Sequence, residues 1–590
     1  MNKESRFLLE YKNLEVEFGS GEDTVKALKN ISFTLSKGET VGIVGESGSG
    51  KSVTALSTMR LLPGSNTRVN SGQIFFSGES NQKLDLLKLD ERQIRKIRGK
   101  EIAMIFQEPM TSLNPVMRCG DQVAEVLKLH LKLNEQAAKN KVLELFEEVK
   151  LPRVNEIYRA YPHQLSGGQK QRVMIALAIS CNPSVLIADE PTTALDVTVQ
   201  EKIVGLMKDI QRTTQMGMIF ITHDLGLVGQ IADRILVMYK GSLVEQGTVY
   251  EIFENAKHPY TKGLLACKPP LNKRLSRLPS VYDFMESKQD GTFKNSDKGI
   301  VEIYKDLIIS ESDRVAQLDT LFQRKKILQV ENLECVFANK HNWMGKPTSF
   351  VKAVNNVSFD VFEGETLGLV GESGCGKTTL GRAILRLMEP FSGKIIFEDK
   401  DITKIHKDEM RELRKKMQII FQDPYSSLNP RMTVGECILE PMQVHDLFAN
   451  KSQRKEKVME LLTKVNLSES HFNRYPHEFS GGQRQRVCIA RTLALSPKFI
   501  VCDEMVSALD VSVQAQVLNL LTDLKKEFLF TYIFISHDLS VVKFMSDRVM
   551  VMEKGEIREI QEAEQLYQSP KTAYTKQLID SIPAGISRRY

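Results

Sequence analysis

The stretch Gly-Glu-Ser-Gly-Ser-Gly-Lys-Ser at residues 45–52 decides the fold of this chain, and it returns as Gly-Glu-Ser-Gly-Cys-Gly-Lys-Thr at residues 371–378. Each stretch follows a short apolar segment, at 40–44 and at 366–370, and precedes a helix-forming run. Glycines let the backbone bend tightly and approach phosphate groups, and the N–H groups that begin the next helix attract anions. The pattern therefore predicts a strand, a phosphate-binding loop and a helix in each half of the chain.

The rest of the chain is also duplicated, because further motifs recur 314 or 315 residues later. The recurring motifs lie at 106–115 and 421–430, 161–172 and 475–486, 189–190 and 503–504, and, as Tyr-Thr-Lys, 260–262 and 574–576. Solenoid units span only about 20–50 residues, so a period this long indicates whole domains. We predict a first domain with a C-terminal extension at 1–285, a linker at 286–325, and a second such domain at 326–590.

Composition excludes several classes of protein. With 42% hydrophobic and 26% charged residues, the chain is globular, and no apolar run reaches the roughly 18 residues of a membrane-spanning helix. The eight cysteines form no Cys-x-x-Cys pair, which argues against a zinc ribbon, an iron–sulfur cluster or a disulfide framework. A net charge of +6 is too small to indicate nucleic-acid binding. The N-terminus has no apolar signal region, so we expect a cytosolic protein.

Acidic pairs follow a second apolar segment in each copy, where the carboxyl edge of a parallel sheet is expected. In the pairs Asp189-Glu190 and Asp503-Glu504, the aspartate can hold Mg²⁺ and the glutamate can polarise an attacking water. Within the loops, the lysine would reach the β- and γ-phosphates and the hydroxyl would ligate Mg²⁺, at Lys51, Lys377, Ser52 and Thr378. The residue types therefore predict phosphoryl chemistry in both copies.

A histidine follows the last predicted strand of each copy, at His223 and His537. A single histidine at such a place would more often be structural. Because both copies carry it at the matching position, directly before an aspartate, we interpret it as a contact to the γ-phosphate.

The sequence Leu-Ser-Gly-Gly-Gln at 165–169, matched by Phe-Ser-Gly-Gly-Gln at 479–483, resembles the signature motif of ABC ATPases. The Q-loop glutamines and the D-loops of that family also have counterparts here, at Gln107, Gln422, 194–196 and 508–510. The resemblance covers nearly all of both halves. It implies an α/β fold with two tandem ABC-type P-loop ATPase domains, each with a RecA-like parallel-sheet core, a β subdomain and a helical signature subdomain.

In that family two ATPase domains pair head to tail, and each ATP lies between the phosphate loop of one and the signature of the other. The resemblance implies catalytic roles for Glu190, Glu504, His223, His537, Gln107 and Gln422. It implies Mg²⁺ ligation by Ser52, Gln107, Asp189, Thr378, Gln422 and Asp503. ATP would contact Gly45, Glu46, Ser47, Gly48, Ser49, Gly50, Lys51, Ser52, Gly371, Glu372, Ser373, Gly374, Cys375, Gly376, Lys377 and Thr378, with Ser166, Gly167, Gly168, Ser480, Gly481 and Gly482. The family stacks an aromatic residue on adenine where Phe18 and Phe337 stand, although an ordinary core phenylalanine fits those positions nearly as well.

The element Ser-Leu-Asn-Pro at 112–115 and 427–430, with His-Pro-Tyr-Thr at 258–261, resembles the ATPases of dipeptide, oligopeptide and nickel importers. The fused pair is similar to glutathione-type importers. That resemblance implies an ATP-hydrolysing, energy-coupling subunit on the cytoplasmic face of the inner membrane. Its expected partners are two integral-membrane permease subunits and an extracytoplasmic substrate-binding protein, with the two halves pairing within the chain and no nucleic acid bound.

Other tandem ABC ATPases act on ribosomes, and that alternative stays open at this stage. Ribosome factors join their halves by a long charged helical arm, whereas the linker at residues 286–323 is short. ABC ATPases of DNA repair insert zinc modules or long coiled coils, which this sequence lacks. The permease and the binding protein recognise the transported solute, so the sequence of this chain does not identify it.

Overall fold

The computed structural model describes residues 7–19, 24–64, 66–78, 82–107, 112–193, 195–287, 293–295, 299–341 and 347–582. The chain divides into two compact units. The first consists chiefly of the residues up to Leu265, and the second chiefly of Asp297 to Ile582. Within those described ranges, no helix is both long and apolar enough to cross a membrane.

The secondary structure repeats in the two copies. The strands of the first copy are β1 Phe7–Phe18, β2 Val25–Ser36, β3 Thr40–Val44, β4 Thr67–Ser77, β5 Lys83–Asp85, β6 Ile102–Ile105, β7 Val185–Asp189, β8 Gly217–Thr222, β9 Arg234–Tyr239 and β10 Ser242–Thr248. Its α-helices are α1 Lys51–Met59, α2 Glu91–Ile97, α3 Cys119–Leu131, α4 Glu135–Glu148, α5 Val154–Arg159, α6 Gly167–Ile179, α7 Val197–Thr214, α8 Leu225–Ile231, α9 Val249–Glu254 and α10 Pro259–Ala266. Between the copies lie β11 Met285–Ser287, β12 Phe293–Asn295, α11 Ile300–Lys305 and α12 Glu311–Phe322.

In the second copy the strands follow in the same order. Its strands are β13 Lys326–His341, β14 Pro347–Phe362, β15 Thr366–Val370, β16 Ser392–Phe397, β17 Lys400–Asp401, β18 Met417–Ile420, β19 Phe499–Asp503, β20 Thr531–Ile535, β21 Arg548–Glu553 and β22 Glu556–Glu562. Its α-helices are α13 Lys377–Ile384, α14 Lys407–Lys416, α15 Pro424–Ser427, α16 Val434–Val444, α17 Lys451–Lys464, α18 Gly481–Leu493, α19 Val511–Phe528, α20 Leu539–Met545, α21 Ala563–Gln568 and α22 Ala573–Asp580.

Each copy is built on a six-stranded sheet. The strand orders are β10-β9-β3-β8-β7-β6 and β18-β19-β20-β15-β21-β22, and all neighbours run parallel except the last hairpin, β9–β10 or β21–β22. Every residue of β3 and β7 is buried, as expected for parallel strands that are covered on both faces. The predicted α/β fold is confirmed.

A second, antiparallel sheet and a group of helices complete each copy. The antiparallel sheets have the strand orders β2-β1-β4-β5 and β14-β13-β16-β17, and one buried core joins each of them to its central sheet. Helices α3 to α6 pack on one another and end in the helix that follows the signature motif; α16 to α18 do the same in the second copy. These are the expected β and helical subdomains.

The central sheet brings the candidate residues to one edge. Strand β3 leads into the phosphate loop, β7 ends at Asp189, and β8 ends immediately before His223. Because β3 and β7 flank β8 and all three are parallel, their carboxyl ends lie side by side. Strand β7 includes Asp189 itself.

The segment Ala266–Asp283 belongs to the second compact unit, although it continues the first copy in sequence. The side-chain amide of Asn519 on α19 makes two hydrogen bonds to Leu278: Oδ1 accepts from the backbone N–H, and Nδ2 donates to the carbonyl, both at 2.8 Å. Arg274 donates to the carbonyls of Lys543 and Ser546, at 2.5 and 2.8 Å. The boundary predicted at residue 285 stays a prediction, and these contacts show where the segment packs.

Replacing Asn519 by Ala is expected to release this segment. Both backbone groups of the buried Leu278 would lose their partner, at about 1–3 kcal/mol for each unsatisfied group. Hydrogen exchange at the Leu278 amide should become faster in Asn519→Ala. The matched position of the first copy is Gly205, where an added Cβ meets nothing within 4 Å, so Gly205→Ala is the control and should leave that amide protected. Unchanged protection in Asn519→Ala would contradict this account of the docking.

Candidate functional site

The phosphate loops have a backbone that only glycine can supply at their last position. Gly50 and Gly376 adopt φ angles of 102° and 109°, in the left-handed region. A Cβ at Gly50 would lie 2.8 Å from the carbonyl oxygen of Ala27, and one at Gly376 only 2.1 Å from that of Ala353. Any other residue would therefore clash with backbone as well as strain the loop.

A buried lysine begins the helix after each loop and folds back over it. Nζ of Lys51 donates to the carbonyl oxygens of Gly45 and Glu46, at 2.7 and 3.0 Å. In the second copy, Lys377 makes the same pair of bonds, at 2.8 Å to Gly371 and 3.0 Å to Glu372. Each ammonium group is thus held at the loop, where an anionic phosphate oxygen would be a stronger acceptor than a carbonyl.

The hydroxyl of the loop and the first acid of the acidic pair meet in both copies. Oγ1 of Thr378 donates to Oδ1 of Asp503 at 2.9 Å, and the Ser52 hydroxyl bonds Asp189. Oδ1 of Asp189 is buried, and no described residue shares a hydrogen bond with it. Burial raises the pKa of Asp189 to about 6 and also raises that of Asp503. A buried carboxylate with an open oxygen beside a hydroxyl is a donor set that suits a hard divalent cation.

Burial of the ionised Asp189 carboxylate lowers the stability of the nucleotide-free protein. The pKa of Asp189 is about 6 in the fold against 3.8 in the unfolded chain, so the penalty is complete above about pH 6 and disappears as pH falls below 3.8. Asp189→Asn should therefore raise the free energy of unfolding at pH 8 by up to about 3 kcal/mol, at 1.36 kcal/mol per pKa unit. Chemical denaturation at pH 8 and pH 4 measures this, and a gain of the same size at both values would contradict the assignment.

Three polar side chains surround the carboxylate of Glu190. Its Oε2 accepts from Nε2 of Gln107 at 3.1 Å and from Oγ1 of Thr193 at 3.0 Å, and lies 3.4 Å from Nδ1 of His223. Burial by itself would raise the pKa of Glu190, but the hydrogen bond and charge of His223, together with Lys51 and Thr193, lower it to about 2. The carboxylate is therefore ionised at neutral pH.

The second copy repeats this cluster with one difference. Oε2 of Glu504 accepts from Nε2 of Gln422 at 3.0 Å and lies 3.5 Å from Nδ1 of His537. Burial opposes ionisation, yet His537 and Lys377 hold the pKa of Glu504 below its usual value. Ser507 stands where the first copy has Thr193, and its hydroxyl donates to the backbone carbonyl of Glu504 at 2.8 Å instead of to the carboxylate.

The two glutamates have strained backbones. Glu190 and Glu504 adopt φ angles of 47° and 46°, a conformation that costs a non-glycine residue on the order of 1–3 kcal/mol. Their N–H groups donate to the carbonyls of Ile221 and Ile535, at 2.9 and 3.0 Å, so the neighbouring strand holds the strained turn. The same strain at the same place in both copies fixes where each carboxylate projects from the sheet.

The signature motifs form helix N-termini without acidic residues in the first turn. Ser166 caps α6 and Ser480 caps α18, each in a capping box with the following glutamine. A Cβ at Gly168 would lie 2.8 Å from Cγ1 of Val199, and one at Gly482 only 2.1 Å from Cγ1 of Val513. Glycine is thus required by close packing, and each helix start presents backbone N–H groups that suit an anion.

The aromatic residues expected at adenine lie on the first strand of each copy. Phe18 is half-buried at the end of β1, and Phe337 on β13 is 40% exposed; neither belongs to the buried core of its copy. Their cross-strand partners Val25 and Val351 are also exposed, so each pair forms an apolar edge. Neither phenylalanine is therefore an ordinary core residue. Contact of Phe18 and Phe337 with adenine stays a prediction.

The sequence pattern found most of each cluster but missed Thr193, which directly bonds the carboxylate of Glu190. The residue stands three positions after the glutamate, where the second copy has Ser507, and a shared hydroxyl at this spacing was the available signal. Two stretches of the first-copy motifs, residues 108–111 of the Q-loop and Ala194 of the D-loop, lie outside the described residues.

Comparison with known proteins agrees with this geometry. The family described as "ABC transporter" matches residues 28–193 and 354–507, and "Oligopeptide/dipeptide transporter, C-terminal region" matches 244–291 and 558–588. The "Glutathione import ATP-binding protein GsiA" of Escherichia coli strain K12 is 46% identical over 583 residues, 98% of this chain and 90% of that protein. The proteins of the same name from Salmonella typhimurium strain LT2 and Pectobacterium atrosepticum are 46% identical over 588 residues and 45% identical over 584 residues. These matches cover 100% and 99% of this chain, and 91% and 90% of those proteins.

The family match falls on both copies and includes each phosphate loop and acidic pair. The full-length relatives carry the similarity through the linker and both extensions. This chain is an ATP-binding ATPase with two cassettes, and it belongs to the ABC transporter family.

Proposed function

We propose that this chain is the energy-coupling ATPase of an importer for peptides or similar small solutes. The observation that carries the proposal is that each of the two cassettes, with its phosphate loop and acidic pair, is followed by the extension typical of oligopeptide and dipeptide transporters. The name of the relatives that match along the whole chain adds glutathione, a small peptide, to the candidate solutes. A tandem ATPase that acts on ribosomes is less favoured, because the family that matches the two C-terminal extensions is a family of transporters.

The phosphate loops would bind the triphosphate, and the residues beside them fit Mg²⁺. Ser52 with Asp189, and Thr378 with Asp503, would hold the ion, and the open oxygen of Asp189 is the observation that favours it. Gln107 and Gln422 already bond the glutamates through Nε2 and would add their amide oxygens to the ion. When bound, Mg²⁺ neutralises charge that develops on the transferred phosphoryl group.

Glu190 and Glu504 would orient and polarise the water that attacks the γ-phosphate. Since the pKa of Glu190 is only about 2, the carboxylate is fully ionised and accepts a hydrogen bond from water rather than storing a proton beforehand. His223 and Gln107 fix the direction of this carboxylate. Phosphoryl transfer requires a protein to position the reacting groups and to stabilise charge, and this cluster can do both.

Each ATP-binding site would be completed by the signature motif of the other copy, as the family resemblance implies. Site one would join its phosphate loop with Ser480 and Gly482, and site two would join its loop with Ser166 and Gly168. The absence of acidic residues from the first turns of α6 and α18 supports an anionic ligand there. ATP binding would then draw the copies together, and hydrolysis would release them.

Membrane partners follow from the proposed role. Among the described residues no helix could cross a membrane, so the solute pathway would be supplied by two integral-membrane permease subunits. A substrate-binding protein outside the membrane would deliver the solute. We propose that the chain is bound peripherally to the cytoplasmic face of the inner membrane by these permeases.

An uptake assay tests this function. Cells without the chain should lose uptake of labelled glutathione or of a labelled dipeptide, and the wild-type chain should restore it. The Glu190→Gln Glu504→Gln double variant, expressed to the same level, should not restore it. Normal uptake of a panel of labelled di-, tri- and oligopeptides and glutathione in the deletion strain would refute the proposal.

A further inference from the structure

A tyrosine from each C-terminal extension contacts the phosphate loop. The hydroxyl oxygen of Tyr260, on α10, accepts a hydrogen bond from the backbone N–H of Glu46 at 3.0 Å. In the second copy the hydroxyl oxygen of Tyr574, on α22, accepts from the N–H of Glu372 at 3.1 Å. These are the tyrosines of the repeated Tyr-Thr-Lys motif, to which the sequence alone assigned no role.

Each extension is anchored before its tyrosine by one glutamate. The carboxylate of Glu245, on β10, accepts from the N–H groups of Lys257 and His258, at 2.7 and 3.0 Å. At the matching positions of the second copy, the carboxylate of Glu559 accepts from Lys571 and Thr572, at 2.9 and 3.3 Å. The carboxylate thus fixes the turn from which the helix, and with it the tyrosine, projects to the loop.

Tyr260 is held from several sides, and Tyr574 is half-buried. Tyr260 is fully buried, and its ring lies against Tyr239 with 4.2 Å between the ring centroids. Burial raises the pKa of Tyr574, so its hydroxyl stays protonated at any physiological pH. A neutral hydroxyl in a fixed place is a suitable acceptor for a loop amide.

The bonds of the tyrosine and of the loop lysine meet on one peptide group. The peptide between Gly45 and Glu46 offers its N–H to Tyr260 and its carbonyl oxygen to Nζ of Lys51, at 2.7 Å. In a planar trans peptide these two groups point in opposite directions, so the pair of bonds clamps the plane from both sides. The peptide between Gly371 and Glu372 is clamped by Tyr574 and Lys377 in the same way.

We infer that Tyr260 and Tyr574 are positioning residues for ATP binding, through which each C-terminal extension fixes the peptide that orients the loop lysine. Without the hydroxyl, the peptide can rotate and the carbonyl that holds Nζ moves with it. The extension is therefore part of the nucleotide site, although it lies far from the loop in sequence. The inference rests on ATP binding at the loops and not on the importer assignment.

The test is Tyr260→Phe with Tyr574→Phe in the purified full-length chain, because phenylalanine keeps the ring and removes only the hydroxyl. A hydrogen bond of ordinary net strength predicts a KM for ATP about 2- to 10-fold higher, with kcat near the wild-type value. The amides of Glu46 and Glu372 should exchange hydrogen faster, while those of β3 and β15 keep their protection. The control is Tyr239→Phe, which alters the ring partner of Tyr260 and should change neither quantity.

An unchanged KM for ATP would overturn the inference, whatever happens to stability. If the double variant folds poorly, the two single variants are measured separately, and each must raise the dissociation constant at its own site while the other site keeps wild-type affinity. Equal weakening of both sites by one single variant would also overturn it, since that outcome indicates general loosening of the fold.

Discussion

ATP hydrolysis should fall by about 10²- to 10⁴-fold when Glu190 and Glu504 are both replaced by Gln, while ATP stays bound. The carboxylates are ionised in the fold and are held by His223 and His537, so they are placed to polarise water. Glutamine has the same shape but no charge, and the lysines that would bind the phosphates are untouched. Phosphate release and the nucleotide retained after gel filtration measure the two effects.

The control for this variant is Glu135→Gln with Glu456→Gln, which changes two exposed glutamates outside the clusters. It should hydrolyse ATP at the wild-type rate. If the Glu190→Gln Glu504→Gln protein hydrolyses ATP within a factor of about three of the wild-type rate, the two glutamates do not take part in the hydrolysis step.

ATP binding should be lost from one site in Lys51→Ala or in Lys377→Ala, and from both sites in the double variant. A charge-assisted hydrogen bond contributes about 1.5–3 kcal/mol, which corresponds to roughly 10- to 150-fold in affinity at each site. The substitution also leaves two loop carbonyls without their donor, Gly45 and Glu46 or Gly371 and Glu372. The loop would then lose the bonds that shape it.

Titration of labelled ATP measures the number of sites per chain at a fixed ATP concentration. The expected series is two sites in the wild type, one in each single variant and none in the double variant. Lys202→Ala with Lys526→Ala removes two exposed lysines from α7 and α19 and serves as the control, with two sites retained. Two sites of unchanged affinity in the double loop variant would contradict the assignment of the lysines.

The candidate residues that the structure brings together share one property: each of them lies in a short, local sequence pattern. The loop from Gly45 to Ser52 carries its own backbone requirements, and Gly50 shows them directly in its left-handed φ. The acidic pairs and histidines follow buried strands whose carboxyl ends must meet at one edge of a parallel sheet. Because the same motifs recur in the same order in the second half, each of these patterns occurs as a pair.

Other features depend on contacts between distant residues, which spacing cannot reveal. Tyr260 meets Glu46 across 214 residues, and Asn519 holds Leu278 across 241. Neither contact has a local signal, because a buried tyrosine or asparagine on a helix has many possible partners. Thr193 was missed for another reason: its hydroxyl turns to the Glu190 carboxylate, whereas the matching Ser507 turns to a backbone carbonyl.

Purification of the tagged chain from native membranes in mild detergent tests whether this ATPase powers import through membrane partners. Two polytopic membrane proteins should accompany it in stoichiometric amounts. The gene context of those partners should then include an extracytoplasmic binding protein for peptides or related solutes. Recovery with ribosomes or nucleic acid, and absence from membranes, would contradict the account and leave only the ATPase chemistry standing.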